Sequence, residues 1–157
     1  GFDAEVWRKM RESALAAEKP VAWAQLYGSD ISAQAVRAAK ANLDRAGLLD
    51  AVELVSGDIL EIEAPKDGGV LICNPPYGVR LEEQESLAEL YPQLGTALKG
   101  HFAGWNCYFF TADLRIPKLM RLTPSKKTPL YNGALECRLF EIKMVAGSNR
   151  QPKNSPT

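Results

Sequence analysis

The segment with the clearest chemical meaning is Asn74-Pro75-Pro76-Tyr77, which directly follows the apolar residues 70–73. The side-chain oxygen of Asn74 and the backbone carbonyl of Pro75 can each accept one hydrogen of an NH2 group. Such bonds draw the nitrogen towards a tetrahedral geometry and aim its lone pair at a methyl donor. The prolines fix φ, and Tyr77 offers a face on which a base rotated out of its stack can rest. The segment therefore predicts methyl transfer to an exocyclic amine.

A simpler interpretation of this segment is a rigid turn with an exposed aromatic side chain, because Asn, Pro and Gly are ordinary loop residues. The surroundings favour the chemical interpretation. An apolar run precedes the segment, Gly78 follows it, and two earlier apolar runs end close to Asp30 and Asp58. We therefore expect this segment to be functional rather than only a turn.

The charge balance of the chain limits what it can bind unaided. Nineteen basic and nineteen acidic residues leave the 157 residues with no formal net charge. The length suits one ordinary domain with its own core. A protein that binds nucleic acid by itself usually carries a basic surface. We therefore expect any polynucleotide substrate to be held with help from elsewhere.

The three cysteines indicate a reducing environment. Cys73, Cys107 and Cys137 lie in apolar, strand-like contexts. An odd number in such contexts is typical of reduced core residues in a cytoplasmic protein. No metal-ligand spacing is apparent, so we predict no metal site. The sequence shows neither a signal peptide nor an apolar stretch long enough to span a membrane.

Apolar periodicity divides the chain into alternating helices and strands. The predicted helices are 4–18, 32–46, 86–98 and 116–121. The predicted strands are 21–27, 52–56, 70–73 and 106–111, followed by an antiparallel hairpin of 126–131 and 135–145. An Asn132-Gly133 turn is expected to close the hairpin. Pro92 is expected to kink the third helix or to mark a late start for it.

This alternation predicts an α/β fold, with a doubly wound, Rossmann-like parallel sheet and an antiparallel hairpin at one edge. In such sheets, ligands bind outside the carboxyl ends of the strands. Asp30, Asp58 and Asn74 all fall at such ends. Their shared position is stronger evidence for a site than any one of the three residues.

The two aspartates suit a ligand that contains an adenosine. A carboxylate can accept hydrogen bonds from both vicinal hydroxyls of a ribose, which is the role we expect for Asp30. Asp58 can accept from an adenine amino group, and Ile31 and Ile59 offer apolar contacts to the ring. Each aspartate can instead cap the helix or turn that follows it. For Asp30 the two uses are compatible, and for Asp58 alone both remain open.

These residues resemble the class I methyltransferases that depend on S-adenosylmethionine and modify exocyclic amines. Three longer segments are similar to the guanine-N2 methyltransferases of large-subunit ribosomal RNA, over nearly the whole chain. They are Asn74-Pro75-Pro76-Tyr77-Gly78-Val79-Arg80-Leu81, Phe102-Ala103-Gly104-Trp105-Asn106 and Asn132-Gly133-Ala134-Leu135-Glu136-Cys137. Enzymes of that family carry an RNA-binding THUMP domain ahead of the catalytic domain. The resemblance implies S-adenosylmethionine as cofactor and ribosomal RNA as partner.

The chain departs from the family pattern at its start. A complete domain begins with a strand and a glycine-rich loop for the cofactor, and no Gly-x-Gly turn precedes Asp30. Family topology implies that the absent first strand lies between the strands ending at Asp30 and Asn74. We therefore expect residues 1–147 to be a partial catalytic domain and 148–157 a polar, disordered tail. The open sheet edges predict closure of the gap, strand exchange in a dimer, or pairing with an upstream segment.

The predicted activity is methylation of a guanine N2 amine in 23S ribosomal RNA by the intact parent protein. Three alternatives stay open: an adenine-N6 DNA methyltransferase, a protein glutamine-N5 methyltransferase, and an inactive fragment that does not bind the cofactor. The predicted catalytic residues are Asn74, Pro75, Pro76 and Tyr77. The predicted cofactor-binding residues are Asp30, Ile31, Asp58, Ile59 and Asn74.

Overall fold

The computed structural model describes residues 1–19, 26–76 and 81–145, and side chains from residue 87 onwards in the last of these ranges. The chain divides into two compact units, Gly1–Ser56 and Gly57–Thr157. Each unit alternates strands with helices, so the predicted α/β class is confirmed. The expected tail, 148–157, lies outside the described residues, as does most of the predicted first strand.

The first unit contains a strand-helix-strand arrangement. Strand β1 (Leu26–Asp30) pairs in parallel with β2 (Val52–Ser56), so that the carboxyl ends of both strands lie at one edge. Helix α2 (Ala33–Arg45) joins them, and the Ser32 hydroxyl accepts the Ala35 N–H as its N-cap. Helix α2 and strand β2 lie within one residue of their predicted bounds, whereas β1 ends at Asp30, three residues beyond the predicted end of 21–27.

Helix α1 (Ala4–Ala16) opens the first unit and ends two residues before its predicted end. The Asp3 carboxylate accepts two N–H groups of the first turn, as expected for an N-cap. The side chains of Val6, Trp7 and Met10 share helical spacing, yet all three are exposed. No residue of α1 is buried among the described residues, so helix propensity, the Asp3 cap and the i,i+4 ion pairs Arg8–Glu12 and Lys9–Glu5 account for this helix.

The second unit is a four-stranded mixed sheet with two helices. Its order is β3-β4-β6-β5, with β3 parallel to β4 and the remaining neighbours antiparallel. The parallel pair followed by a hairpin at the edge is the predicted arrangement. The elements are β3 (Val70–Cys73), α3 (Leu81–His101), β4 (Asn106–Thr111), α4 (Ile116–Leu119), β5 (Lys126–Asn132) and β6 (Leu135–Lys143).

One apolar cluster forms the core of the second unit. Helix α3 contributes a stripe at helical spacing, and the sheet contributes alternate residues of β4 and β6. Burial of this area is the main stabilising term for the unit. The buried members are Leu87, Tyr91, Leu94, Leu98, Phe102, Trp105, Cys107, Phe109, Ile116, Met120, Phe140, Ile142 and Met144.

The two faces of β3 differ in their environment. Leu71 and Cys73 pack against the core cluster, whereas Val70 and Ile72 point the other way and are 57% and 76% exposed. Parallel strands are usually buried on both faces. Among the described residues β3 pairs only with β4, while β1 belongs to a different sheet.

Helix α3 is longer than the predicted helix 86–98 at both ends. It spans Leu81–His101, and Pro92 lies in its interior instead of starting it. The sequence before residue 86 has little apolar periodicity, but its run of Glu and Gln favours helix and suits a helix N-terminus.

Within the described part of the chain, no helix is both long and apolar enough to cross a membrane.

The hairpin turn differs by one residue from the prediction. Asn132 is the last residue of β5 and pairs with Leu135, so the loop consists of Gly133 and Ala134. Gly133 has φ of 61°, which suits a turn with glycine at the first central position.

Gly133→Ala is expected to lower the free energy of unfolding by about 1 kcal/mol, because an L side chain is strained at positive φ. Urea unfolding measures the change. Ala134→Ser, at the other loop residue, is the matched control and should change stability little. Equal unfolding midpoints for the two variants would contradict the turn assignment.

Candidate active site

The predicted catalytic segment lies at the carboxyl end of β3. Asn74 is exposed and Pro75 is buried. The carbonyl of Pro76 accepts a hydrogen bond from the hydroxyl of Tyr91, which belongs to α3. Tyr77 lies outside the described residues. Asn74, which directly follows this short apolar strand, therefore lies at the edge at which α/β sheets bind ligands.

The hydrogen-bonding groups of this segment are used unequally. Among the described residues, no hydrogen bond engages the side chain of Asn74 or the carbonyl of Pro75, whereas the carbonyl of Pro76 is occupied by Tyr91. An amide oxygen and a carbonyl oxygen that are both available can accept the two hydrogens of one NH2 group. This is the arrangement that the predicted chemistry requires.

A second polar group follows β4 at the same edge of the sheet. Because Cys73 is opposite Phe109 in the parallel pair, the residues after β4 continue beside those after β3. Asp113 accepts hydrogen bonds from the backbone N–H and the guanidinium of Arg115, the shortest at 2.8 Å. The hydroxyl of buried Thr111 accepts the N–H of Asp113. This loop is thus fixed by its own side chains.

The Asp113–Arg115 pair shifts both groups towards their charged forms. Hydrogen bonds from the Arg115 guanidinium hold the pKa of the Asp113 carboxyl below its usual range, and the pKa of Arg115 is raised in turn. The Asp113 side chain is only 14% exposed, while that of Arg115 is 61% exposed. Solvent therefore weakens the attraction, and the pair orders the loop more than it stabilises the fold.

Asp113→Asn is expected to lose stability at neutral pH but not in acid. A lowered carboxyl pKa gives stability that is present above the unfolded pKa and lost as pH falls through the folded one. The difference in unfolding free energy between wild type and variant should therefore be constant near neutrality and shrink below about pH 4. Urea unfolding across this range measures it. A difference independent of pH would contradict the ion pair.

The two cysteines near the site are inert thiols. Burial raises the pKa of Cys73, and burial together with the neighbouring Cys73 raises the pKa of Cys107 to about 12. A thiol of high pKa is a poor nucleophile and metal ligand at neutral pH. The described residues also contain no cluster of three or more His, Cys, Asp or Glu side chains suited to a metal ion.

Asp58 and Ile59 lie in the second unit, in the turn that follows β2. The Asp58 carboxylate accepts the N–H of Leu60 at 2.9 Å, and its carbonyl accepts the N–H of Ile62. The turn-capping interpretation is therefore realised. Ile59 is partly buried against the core cluster. The carboxylate remains half-exposed and can still accept from a ligand.

Asp30 and Ile31 lie in the first unit, at the carboxyl end of β1. The Asp30 carboxylate accepts the N–H of Ser32 at 2.7 Å, and the carboxylate is exposed. Ser32, not Asp30, caps α2. Ile31 is 73% exposed, and its carbonyl accepts the Ser56 hydroxyl. One oxygen of Asp30 orders the turn, while the other can serve a ligand.

The second unit adds three residues that sequence analysis does not single out as functional: Tyr91, which donates a hydrogen bond to the Pro76 carbonyl, and the pair Asp113 and Arg115, which follows β4 at the same edge of the sheet. Tyr91 looked like one more apolar position of a helix, and only its hydroxyl hinted at a buried partner. Asp113 and Arg115 carried a clearer signal, because they follow an apolar strand as Asn74 does.

The chain is similar to known proteins over most of its length. A family profile described as RMKL-like, methyltransferase domain, matches residues 2–141. The ribosomal RNA large subunit methyltransferase K/L of Legionella pneumophila is 38% identical over 154 residues, which cover 96% of this chain. The chain spans 21% of the length of the Legionella protein and 37% of that of a relative from Synechocystis.

Solved structures are similar as well. The crystal structure of SMU.472, complexed with SAH, has a TM-score of 0.77 and 27% identity, and covers 90% of this chain and 37% of that one. The structure of a predicted N6-adenine-specific DNA methylase from Listeria monocytogenes has a TM-score of 0.74 and 27% identity, and covers 89% of this chain and 36% of that one.

Proposed function

The chain belongs to the family of RMKL-like methyltransferase domains, and from this premise we propose that it takes part in methylating the N2 amine of a guanine in large-subunit ribosomal RNA. One observation carries the proposal. Asn74 presents a side chain without a hydrogen-bond partner among the described residues, at the carboxyl end of a core strand. Pro75 and Pro76 follow it, and the carbonyl of Pro76 accepts a hydrogen bond from the Tyr91 hydroxyl. Such a group suits the capture of an NH2 hydrogen.

S-adenosylmethionine is the cofactor we propose, and it supplies a methyl group activated by a positive sulfur. The SAH bound to SMU.472 supports this choice. The residues of this chain fit such a ligand in their chemistry. The exposed Asp30 carboxylate keeps an oxygen for ribose hydroxyls, and the half-exposed Asp58 carboxylate can accept from an adenine amine. Ile31 and Ile59 offer apolar contact.

The proposed mechanism needs orientation more than acid or base strength. The lone pair of an aryl NH2 is delocalised into the ring and makes a weak nucleophile. Asn74 and the Pro75 carbonyl accept the two NH2 hydrogens and turn the lone pair out of the ring plane. Tyr77 supports the flipped guanine by stacking. Proximity and alignment supply most of the acceleration, and the surplus proton leaves to solvent.

We also propose the partners of this activity. The balanced charge of the chain supports an RNA-binding module in the same protein, such as a THUMP domain upstream. Among the described residues one edge of β3 has no hydrogen-bonded neighbour, and Val70 and Ile72 are exposed, which supports pairing with a further strand, either upstream or from a second copy. With ribosomal RNA as the proposed substrate, we propose that the protein acts in the cytoplasm.

Methylation of the N6 amine of adenine in DNA is the second candidate. The name of the Listeria monocytogenes neighbour supports it, and adenine N6 poses the same lone-pair problem as guanine N2. Glutamine N5 in a protein poses it too. A chain that binds no cofactor is the remaining alternative.

Product analysis distinguishes these activities. The full-length protein is incubated with labelled S-adenosylmethionine and one of three acceptors: unmodified 23S ribosomal RNA, duplex DNA, or a glutamine-containing protein. We expect N2-methylguanosine in the RNA digest by mass spectrometry. N6-methyladenine in DNA or N5-methylglutamine as the sole product would overturn the proposal. Absence of S-adenosylmethionine binding in calorimetry would support the inactive alternative.

A further inference from the structure

Tyr91 is a buried polar group that the proposed mechanism leaves without a role. Its exposed fraction is 0%, and it lies among the leucines of α3 in the core of the second unit. A phenol in such a place costs free energy unless its hydroxyl finds a partner. The hydroxyl of Tyr91 donates to the carbonyl of Pro76. This hydrogen bond therefore connects the core cluster to Pro76 of the predicted catalytic segment.

The torsion angles of the catalytic segment show what this bond can fix. The rings of Pro75 and Pro76 lock φ at both residues. Asn74 and Pro75 each precede a proline, so their ψ values are confined to the extended region. Pro76 precedes Tyr77, and its ψ is not confined in this way. The direction of the Pro76 carbonyl depends on that torsion angle, and Tyr91 holds this carbonyl.

The surroundings of Tyr91 keep its hydroxyl a donor. Burial, and next the negative charge of Asp113, raise the pKa of Tyr91 to about 12. A phenol of ordinary pKa is already protonated at neutral pH, and the raised pKa extends the protonated form into alkaline solution. The Asp113 carboxylate is itself occupied by Arg115. The loop after β4 thus favours the protonated phenol that the Pro76 carbonyl requires.

We propose that Tyr91 is a positioning residue for methyl transfer: its hydroxyl fixes the Pro76 carbonyl and thereby the backbone that directly follows Asn74 and Pro75. This role rests on the proposed function of the segment. Asn74 and the Pro75 carbonyl orient the amine, so the backbone that carries them must keep one geometry. The prolines restrict the torsion angles up to Pro75, and the hydrogen bond from Tyr91 restricts ψ of Pro76.

Tyr91→Phe tests the proposal, because it keeps the ring in the core and removes only the hydroxyl. Tyr108→Phe is the matched control, since Tyr108 is half-buried on the face of β4 that points away from the core cluster. In the full-length protein, the single-turnover rate of Tyr91→Phe should fall about 10- to 100-fold, the loss expected from slight misalignment. Affinity for S-adenosylmethionine should stay at the wild-type value, and Tyr108→Phe should keep the wild-type rate.

A merely structural hydroxyl predicts a different pattern. Tyr91→Phe would then unfold at lower urea concentration but keep the wild-type rate per folded molecule. That result overturns the positioning role. Hydrogen exchange of the peptide 69–80 provides a readout that needs no activity. We expect faster exchange in Tyr91→Phe than in Tyr108→Phe, and equal exchange in both also overturns the role.

The same measurements separate this inference from the proposed function. If the wild-type protein methylates no ribosomal RNA, the proposed function fails, and hydrogen exchange still decides whether Tyr91 fixes the segment. If the wild type is active and Tyr91→Phe is equally active, only the positioning role fails.

Discussion

Asn74→Ala is expected to slow methyl transfer about 100- to 1,000-fold, the usual loss when one preoriented hydrogen-bonding group is removed from an active site. The side chain is exposed at the end of β3 and has no partner among the described residues, so little folding energy depends on it. Single-turnover methylation of unmodified ribosomal RNA measures the rate. Calorimetry should show nearly unchanged affinity for S-adenosylmethionine.

Two further variants make this result specific. Asn74→Asp keeps an oxygen acceptor in place and should retain more activity than Asn74→Ala. Asn106→Ala removes the same side chain at the amino end of β4, away from the ligand-binding edge, and should leave the rate unchanged. Full activity in Asn74→Ala would exclude Asn74 from the reaction. Equal losses in Asn74→Ala and Asn106→Ala would show that the effect is only structural.

Gly95→Ala is expected to have the largest effect on stability of the glycine substitutions in α3. A Cβ atom at this position would lie 2.0 Å from the Met120 carbonyl oxygen and 2.8 Å from its carbonyl carbon. These are backbone atoms at the end of α4, which cannot rotate away as a flexible side chain can. The helices must therefore separate, and overpacking of this kind costs about 1–3 kcal/mol.

The same helix supplies the control for this prediction. Gly100 also lies in α3, and a Cβ atom there would meet nothing within 4 Å. Gly100→Ala should therefore keep or raise stability, by up to about 1 kcal/mol, through the higher helix propensity of alanine. Urea unfolding of both variants gives the comparison. Equal stability in the two would contradict the close packing of α3 on α4.

The sequence predicts which helices and strands form better than it predicts the residues at which they begin and end. Three strands match their predicted bounds, namely β2, β3 and β4, because short apolar runs between turn residues leave little choice. The start of α3 was missed because its first turn carries acids instead of an apolar stripe. The observed hairpin loop lies one residue after the predicted one. Asn132 still pairs with Leu135, so the positive φ of Gly133 falls on the first loop residue and not the second, which local composition does not specify.

The sequence predicts the polar residues of the candidate site at the strand ends, but it does not predict the hydrogen bond from Tyr91 that holds Pro76. Asn74, Asp30 and Asp58 were identified because each follows an apolar run, and the structure places each at or just after a strand end. Their binding roles stay predictions. The contact of Tyr91 with Pro76 spans fifteen residues and depends on how α3 packs, which periodicity cannot specify.

Strand β3 has a consequence for local stability. It is four residues long and, among the described residues, is hydrogen-bonded on one side only. Local opening free energies follow the number of backbone bonds that must break, so β3 should open more readily than β4 at the centre of the same sheet. Residues 74–76 thus follow a strand that few backbone hydrogen bonds protect from local opening. Under our proposal, the hydrogen bond from Tyr91 of α3 to Pro76 keeps these residues rigid, and the sheet contributes less.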